Sequence, residues 1–395
     1  MRALIDPTKK AFEKRELCIR HLDDELALLC VDFSDTLQKI DIEKRTDMPI
    51  DEATKSYPYR FKIDNKSLDP VERAKKGLEP FDFSNEDKVI RALGEKYTFD
   101  MPLWFLRKAN DSITKILEYD RPLIFQSKGC NLHDWTTSGG CVYCYVDDKS
   151  NNPSISKNGV WITAENILDT AERLRANSSI RNNRELHRIR HSGGEPTIEL
   201  DFTLNIMEEI EKRGLEKLYL QIDTNLSTGK FIRQMILEKE YPEDILGQLS
   251  AHGVTVYAAF KGTSDENIQY NTQAKLTVDD QLDSFELLLD SGLEVFPCIY
   301  NPDYRALPNF LDKLKNISEP SVKRLRVEPI NWSYGPTACR MEELAKLNKI
   351  APEKELENYR KIEEENFEKS EVIMRGYLDK FGLKYKEFDR TKIEL

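Results

Sequence analysis

Residues 129–147 read GCNLHDWTTSGGCVYCYVD, and residues 191–196 read HSGGEP. The first stretch spaces Cys130, Cys141 and Cys144 as Cys-x10-Cys-x2-Cys. Three thiolates on one loop can ligate three irons of a [4Fe–4S] cluster and leave the fourth iron open to an outside ligand. A zinc site is the alternative, because His133 completes the donor set Cys-x2-His-x7-Cys-x2-Cys. In the second stretch, Ser192, Gly193, Gly194, Glu195 and Pro196 follow a strand-like run and precede a helical one. The glycines let a ligand come close to the backbone, and the Glu195 carboxylate offers itself to a cation such as an amino acid's ammonium. A turn with a helix-capping acid is ordinary alone; beside a three-cysteine loop it is far more specific.

Working outward, apolar runs alternate with helical periodicity. Strands are expected at 122–126, 188–190, 218–222, 254–260, 293–300 and 324–327. Helices fall between them, among them 163–175 with Thr163 as N-cap, 202–212, and 278–291 closed by Gly292. Strands separated by helices give an α/β fold with a parallel sheet, and right-handed crossovers curl it into a partial (β/α)6 TIM-like barrel. Ligand sites then lie at the carboxyl ends of the strands. The cysteines, Glu195, Asp223, Asn225, Lys261, Asn301 and Glu328 all fall at those ends.

Three regions follow. Residues 1–115 read as an N-terminal extension without a signature, 116–335 as the barrel, and 336–395 as a charged helical C-terminal tail. Leu356, Tyr359 and Ile362 give that tail a narrow apolar stripe. In the extension, residues 26–31 read as a buried strand or helix segment, Tyr57–Phe61 as extended, and Pro102–Leu106 as the start of a helix.

The formal charge of -11 disfavours broad attachment to nucleic acid or to an anionic membrane. Arg181, Arg184, Arg188 and Arg190 form one basic cluster, read as a solvated face and a strand start. No run reaches the length of a membrane span, and the first residues lack a signal peptide's apolar core. The expectation is a cytoplasmic protein with reduced thiols. Cys18, Cys30 and Cys298 read as core thiols, and Cys339 as a candidate catalytic thiol beyond the sixth strand.

With these motifs in place, the chain resembles the radical S-adenosylmethionine (SAM) superfamily over about residues 120–335. The resemblance is carried by the cysteine loop with Tyr143 before its last cysteine, by the SGGEP turn, by Asp223-Thr224-Asn225, and by Lys261-Gly262. The last two look most like the glycyl-radical-enzyme activating branch. The resemblance implies that Cys130, Cys141 and Cys144 hold a [4Fe–4S] cluster. It also implies that Tyr143, Ser192–Pro196, Asp223, Asn225, Lys261 and Glu328 surround SAM. One electron, from a donor such as flavodoxin or ferredoxin, then cleaves the sulfonium to a 5′-deoxyadenosyl radical that takes hydrogen from substrate. The chain departs from the usual pattern in its ten-residue first spacing, where the family has three, and in Leu226, where a glycine is common. Three substrate readings stay open: a small metabolite or nucleoside, a glycyl-radical partner protein, and RNA or a peptide. The rival from another class is a zinc-stabilised binding protein using His133. His133 and His191 flank the two motifs, Asp134 and Trp135 are placed to cover the cluster, and Trp332 and Tyr334 to line a substrate chamber.

Overall fold

The chain opens with helix α1 (Pro7–Cys18) and a hairpin of β1 (Ile19–Leu22) and β2 (Glu25–Val31). Strands β3 (Tyr59–Phe61) and β4 (Leu123–Phe125) follow, then α2 (Asp148–Asn151), β5 (Gly159–Thr163) and α3 (Ala164–Ala176). Strands and helices then alternate as β6 (Arg188–His191), α4 (Leu200–Lys212), β7 (Tyr219–Thr224), α5 (Gly229–Leu237) and α6 (Ile245–Ala251). Next come β8 (Thr255–Phe260), α7 (Asp265–Thr272), α8 (Val278–Asp290) and β9 (Glu294–Tyr300). The series continues with α9 (Leu307–Ile317), α10 (Glu319–Arg324), β10 (Arg326–Glu328), α11 (Gly335–Asn348) and α12 (Pro352–Asp379). This computed structural model describes residues 4–33, 36, 59–61, 123–135, 139–155, 158–176, 186–330, 332 and 335–385. The readings placed on Pro102–Leu106, Arg181, Arg184 and Tyr334 lie outside the described residues.

One sheet runs β10-β9-β8-β7-β6-β4-β3, and its six strands from β4 to β10 are parallel. Antiparallel β3 closes one edge. This is the expected partial barrel, and the strands fall where the alternating runs placed them. Local signals agree with it. Thr277 and Asp280 form a reciprocal capping box at the start of α8, and Gly292 leaves that helix at φ 81°. Every residue of β8 is buried, as befits a strand covered on both faces. The floor is plugged by Arg324, whose guanidinium lies 4.3 Å over the Phe296 ring and 3.2 Å from Glu294 Oε1.

Residues 4–31 are built into this core. β2 pairs antiparallel with β5 to form a second sheet. The Val31 amide donates to the Gln126 carbonyl (2.9 Å) and the Lys128 amide to that of Leu29 (2.9 Å), so the hairpin is laced to the chain leading into Cys130. Of the two readings of residues 26–31, the structure takes the strand.

The tail stripe is corrected. Ile362 is 41% exposed, and the face of α12 that packs inward reads Tyr359, Glu363, Asn366, Ser370, Met374 and Leu378. Its polar members hid it from a hydrophobic count. Glu363 accepts from the Ile330 amide and the Trp332 indole, and Asn366 donates to Asn301 Oδ1 (2.9 Å). No helix among the described residues is long and apolar enough to cross a membrane.

Candidate active site

The ten-residue gap between Cys130 and Cys141 is pinched off at its base. His133 and Gly140 form an antiparallel bridge, and the Asp134 amide donates to the Gly139 carbonyl at 2.9 Å. Gly140 is required there: at φ 144° a Cβ would stand 2.6 Å from the Leu132 carbonyl oxygen. The excursion therefore returns to its start, and the loop's ends are brought together despite the long spacing. Trp135 turns back over it, donating from Nε1 to the Cys130 carbonyl (3.2 Å), with Lys10 of α1 4.0 Å above its ring.

All three thiols are half-buried and face one another electrostatically. Burial pushes Cys130 well above the ordinary thiol range, helped by the charges of Cys141 and Cys144; Cys141 is pushed up to about 11. N–H groups are already aimed at the sulfurs. Asn225 Nδ2 stands 3.7 Å from Cys130 Sγ, and the Val146 amide and Asn151 Nδ2 stand 3.4 and 3.7 Å from Cys144 Sγ. Such donors favour thiolate over thiol, the state an iron–sulfur cluster binds. Among the described residues no three His, Cys, Asp or Glu side chains gather tightly enough to hold a single metal ion. Three cysteine thiols on one loop, with N–H groups directed at two of them, are a donor set that fits an iron–sulfur cluster.

The SGGEP turn sits directly against this loop. Gly193 and Gly194 have φ of 102° and 71°. A Cβ at 193 would meet Gln126 Oε1 at 2.5 Å, and one at 194 would meet Ser127 Oγ at 2.5 Å and the Gly129 carbonyl at 2.8 Å. The glycines thus admit the strand end leading into Cys130. Glu195 differs from the reading of an open carboxylate. It is 1% exposed, and its oxygens accept from Thr197 Oγ1 (2.5 Å), Thr224 Oγ1 (2.7 Å) and the Asn225 amide (2.8 Å). It staples the end of β6 to the end of β7, and its carboxylate is taken up inside the protein. Ser192 donates its amide to Phe125 (3.0 Å), and Pro196 starts a buried 3₁₀ turn.

Asp223 is gripped by Arg190 from the neighbouring strand, with Nε 3.0 Å from both carboxylate oxygens and Nη2 2.8 Å from Oδ2. Asn225 also donates to Asn131 Oδ1 (3.1 Å), tying the end of β7 to the cysteine loop. Lys261 lies 5.7 and 5.6 Å from the ring centres of Tyr143 and Tyr300, which stack on each other at 5.7 Å. Its pKa is raised: burial opposes the charge, and Cys141, Tyr145, Cys298 and Cys144 around it outweigh that burial. Glu328 pairs with Arg326 (3.4 Å). Asn301 is absorbed by side-chain bonds to Asn271 and Asn366. His191 is fully buried against Phe125, ring centres 4.3 Å apart, and burial drives its pKa well down. His133 is buried and bonded to Asp148 (3.2 Å).

Cys339 is exposed on α11, and partial burial beside Glu342 raises its pKa; both features weigh against a catalytic thiol. Its neighbour Arg340 was missed. That side chain is buried, 2.7 Å from Asp148 Oδ1 and 3.2 Å from the Val146 carbonyl, and its charge is held by Cys144, Asp148, Cys141 and Cys130 against the cost of burial. Tyr145 was missed as well: it keeps 39% of its surface open while interacting with Asp223, Arg190, Lys261 and Cys144. A basic residue among the many charges of the tail gives no sequence signal; a tyrosine next to the last cysteine was legible and passed over.

The partial barrel carries three thiols and a diglycine turn at its strand ends, where such folds bind their ligands. Residues 125–303 match the family described as the radical SAM superfamily. That stretch is a radical SAM domain, and enzymes of this superfamily use a [4Fe–4S] cluster and SAM. This match counts against the zinc-protein alternative. Among solved structures the chain is similar to the cobalamin-dependent S-adenosylmethionine radical enzyme OxsB with aqua-cobalamin bound, at 13% identity and a TM-score of 0.36. That likeness covers 58% of this chain and 36% of the other, so the chain spans about a third of that protein. No curated protein matches by sequence.

Proposed function

We propose that Cys130, Cys141 and Cys144 hold the cluster, that the Ser192–Pro196 turn and Asn225 seat the methionyl end of SAM beside it, and that the substrate is a small molecule enclosed in the barrel. When bound, the reduced cluster supplies the electron that cleaves SAM to the 5′-deoxyadenosyl radical. The observation that carries the substrate reading is the cover over the strand ends. Met341 of α11 and Tyr359 of α12 pack with Val142 and Tyr143 of the cysteine loop, joined by Tyr300, Ile330 and Trp332. Tyr359 also stacks on Tyr270 at 4.8 Å. Each such buried side chain contributes about 1.5–3 kcal/mol, so this cover is held closed. Enclosure keeps water from a reactive radical.

The chain's own residues divide the work. Gly193 and Gly194 present backbone to the ligand while Glu195 keeps the turn in shape. Lys261, with no carboxylate at bonding distance among the described residues, offers its ammonium to the carboxylate of cofactor or substrate. The Arg190–Asp223 pair holds one wall fixed. Tyr145, Tyr300 and Glu328 face the chamber. A partner protein's glycyl loop, or RNA, would have to displace α11 and α12, which ranks those substrates lower. Flavodoxin or ferredoxin in a reducing compartment such as the cytoplasm is the fitting electron source.

The test is label transfer. Iron-loaded enzyme, dithionite and SAM are incubated with fractions of a deuterium-labelled cell extract, and label is followed into 5′-deoxyadenosine. Transfer from low-mass fractions supports the reading; transfer from protein or RNA fractions alone contradicts it.

A further inference from the structure

We propose that Lys14 of α1 is a positioning residue for the cofactor-binding turn, so that a side chain 178 positions before Ser192 sets the shape of the SAM seat. This rests on the reading that the Ser192–Pro196 turn receives SAM.

Lys14 and Glu199 are both completely buried, with Nζ 2.6 Å from Glu199 Oε1. The ammonium also donates to Ser127 Oγ (3.1 Å) and to the main-chain carbonyl of Glu195 (3.1 Å). Two of its N–H groups are spent on these two acceptors, and its charge is met by the Glu199 carboxylate. Lysine is almost never fully buried without such pairing, and an apolar pair of similar volume is often as stable as a buried ion pair. Bulk stability therefore does not call for these charges here. The three partners do have something in common. Ser127 Oγ is the atom that stands 2.5 Å from a Cβ at Gly194. The Glu195 carbonyl belongs to the turn itself, and Glu199 begins α4. One ammonium joins the strand end under the diglycine, the turn and the following helix.

The next residue strengthens the clamp. Arg15 donates to Asp201 through Nη1 (3.0 Å) and Nη2 (2.5 Å), to the Ile198 carbonyl (3.1 Å) and to Tyr241 Oη (3.1 Å). Lys14 and Arg15 together hold residues 195–201 from below. The Glu195 carbonyl follows directly on the two glycines, both at positive φ, so a shift of this carbonyl changes the path of the main chain that leaves the turn.

The experiment uses the full chain as Lys14→Met/Glu199→Gln, which removes both buried charges together and leaves neither stranded. Iron content, amide hydrogen exchange at Gly193–Glu195 in the metal-free protein, and the SAM concentration that half-saturates the change in the reduced cluster's EPR signal are measured. The proposal expects wild-type iron content, exchange at least tenfold faster in the turn, and at least tenfold more SAM for half-saturation, with kcat falling less than KM rises. A variant that folds with wild-type exchange and half-saturation overturns it. So does one that fails to fold or to take up iron, because Lys14 would then serve the fold as a whole. If the wild-type cluster shows no response to SAM, the reading of the turn fails first, and separately.

Discussion

Replacing Glu195 separates a carboxylate that binds ligand from one that builds the turn. In Glu195→Ala three donors lose their acceptor. Two are hydroxyls with other partners near: Thr197 Oγ1 lies 2.6 Å from Thr228 Oγ1 and 3.4 Å from Thr224 Oγ1. The Asn225 amide has its one hydrogen bond among the described residues to Glu195, and it is stranded. A buried orphan donor costs about 1–3 kcal/mol, and the small cavity adds about 1 kcal/mol. Relief from burying a carboxylate, whose pKa is raised by that burial, offsets part of this. The net loss is about 1–3 kcal/mol, a fall in Tm of roughly 2–12 °C. Glu195→Gln keeps the volume and one acceptor, and should cost about 1–2 kcal/mol because its NH2 group must face a donor. Thermal unfolding of the metal-free proteins measures both, beside the SAM response of the iron-loaded forms. A Gln variant whose Tm is unchanged or higher, yet whose cluster no longer responds to SAM, would refute the staple and restore the carboxylate as a direct ligand.

Arg340→Met should move the cluster's midpoint potential to more negative values by about 60 mV, a tenfold change for one electron, since a buried cation favours the more negatively charged reduced state; an unchanged potential in an EPR redox titration counts against it. His191 has a folded pKa below its unfolded value near 6.5, so the unfolded chain takes up the proton first. Stability is present above that pH and is lost as pH falls through it, by up to about 1.4 kcal/mol per pH unit; His191→Phe should flatten that slope in denaturant titrations, and an equally steep variant would show that another group is responsible. Cys144→Ala should lose cluster iron, whereas Cys339→Ser should retain both iron and SAM cleavage; loss of cleavage in the latter would return Cys339 to the site.

Barrel strands and their order were legible because each is an apolar run ended by a polar residue, and parallel strands buried on both faces write themselves that way. The cysteines and the SGGEP turn were legible for the same reason: their chemistry demands fixed residue types at fixed spacing. What escaped was support that depends on contact across long separations. Lys14 and Arg15 look like ordinary charges in a charge-rich extension until α1 is packed under residues 195–201. The inner face of α12 contains Glu363, Asn366 and Ser370, which count as surface in any hydrophobic periodicity. Glu195 was misjudged because sequence shows a carboxylate but not the three donors that fold around it.

The most direct test of the account is cleavage of SAM itself. Protein loaded anaerobically to about four irons per chain, reduced with dithionite and given SAM, should release 5′-deoxyadenosine and methionine in equal amounts, and the Cys130→Ala, Cys141→Ala and Cys144→Ala variants should release neither. A fully loaded wild-type sample that leaves SAM intact, or a cysteine variant that cleaves it as well as wild type, would contradict the assignment of these three residues and the turn beside them.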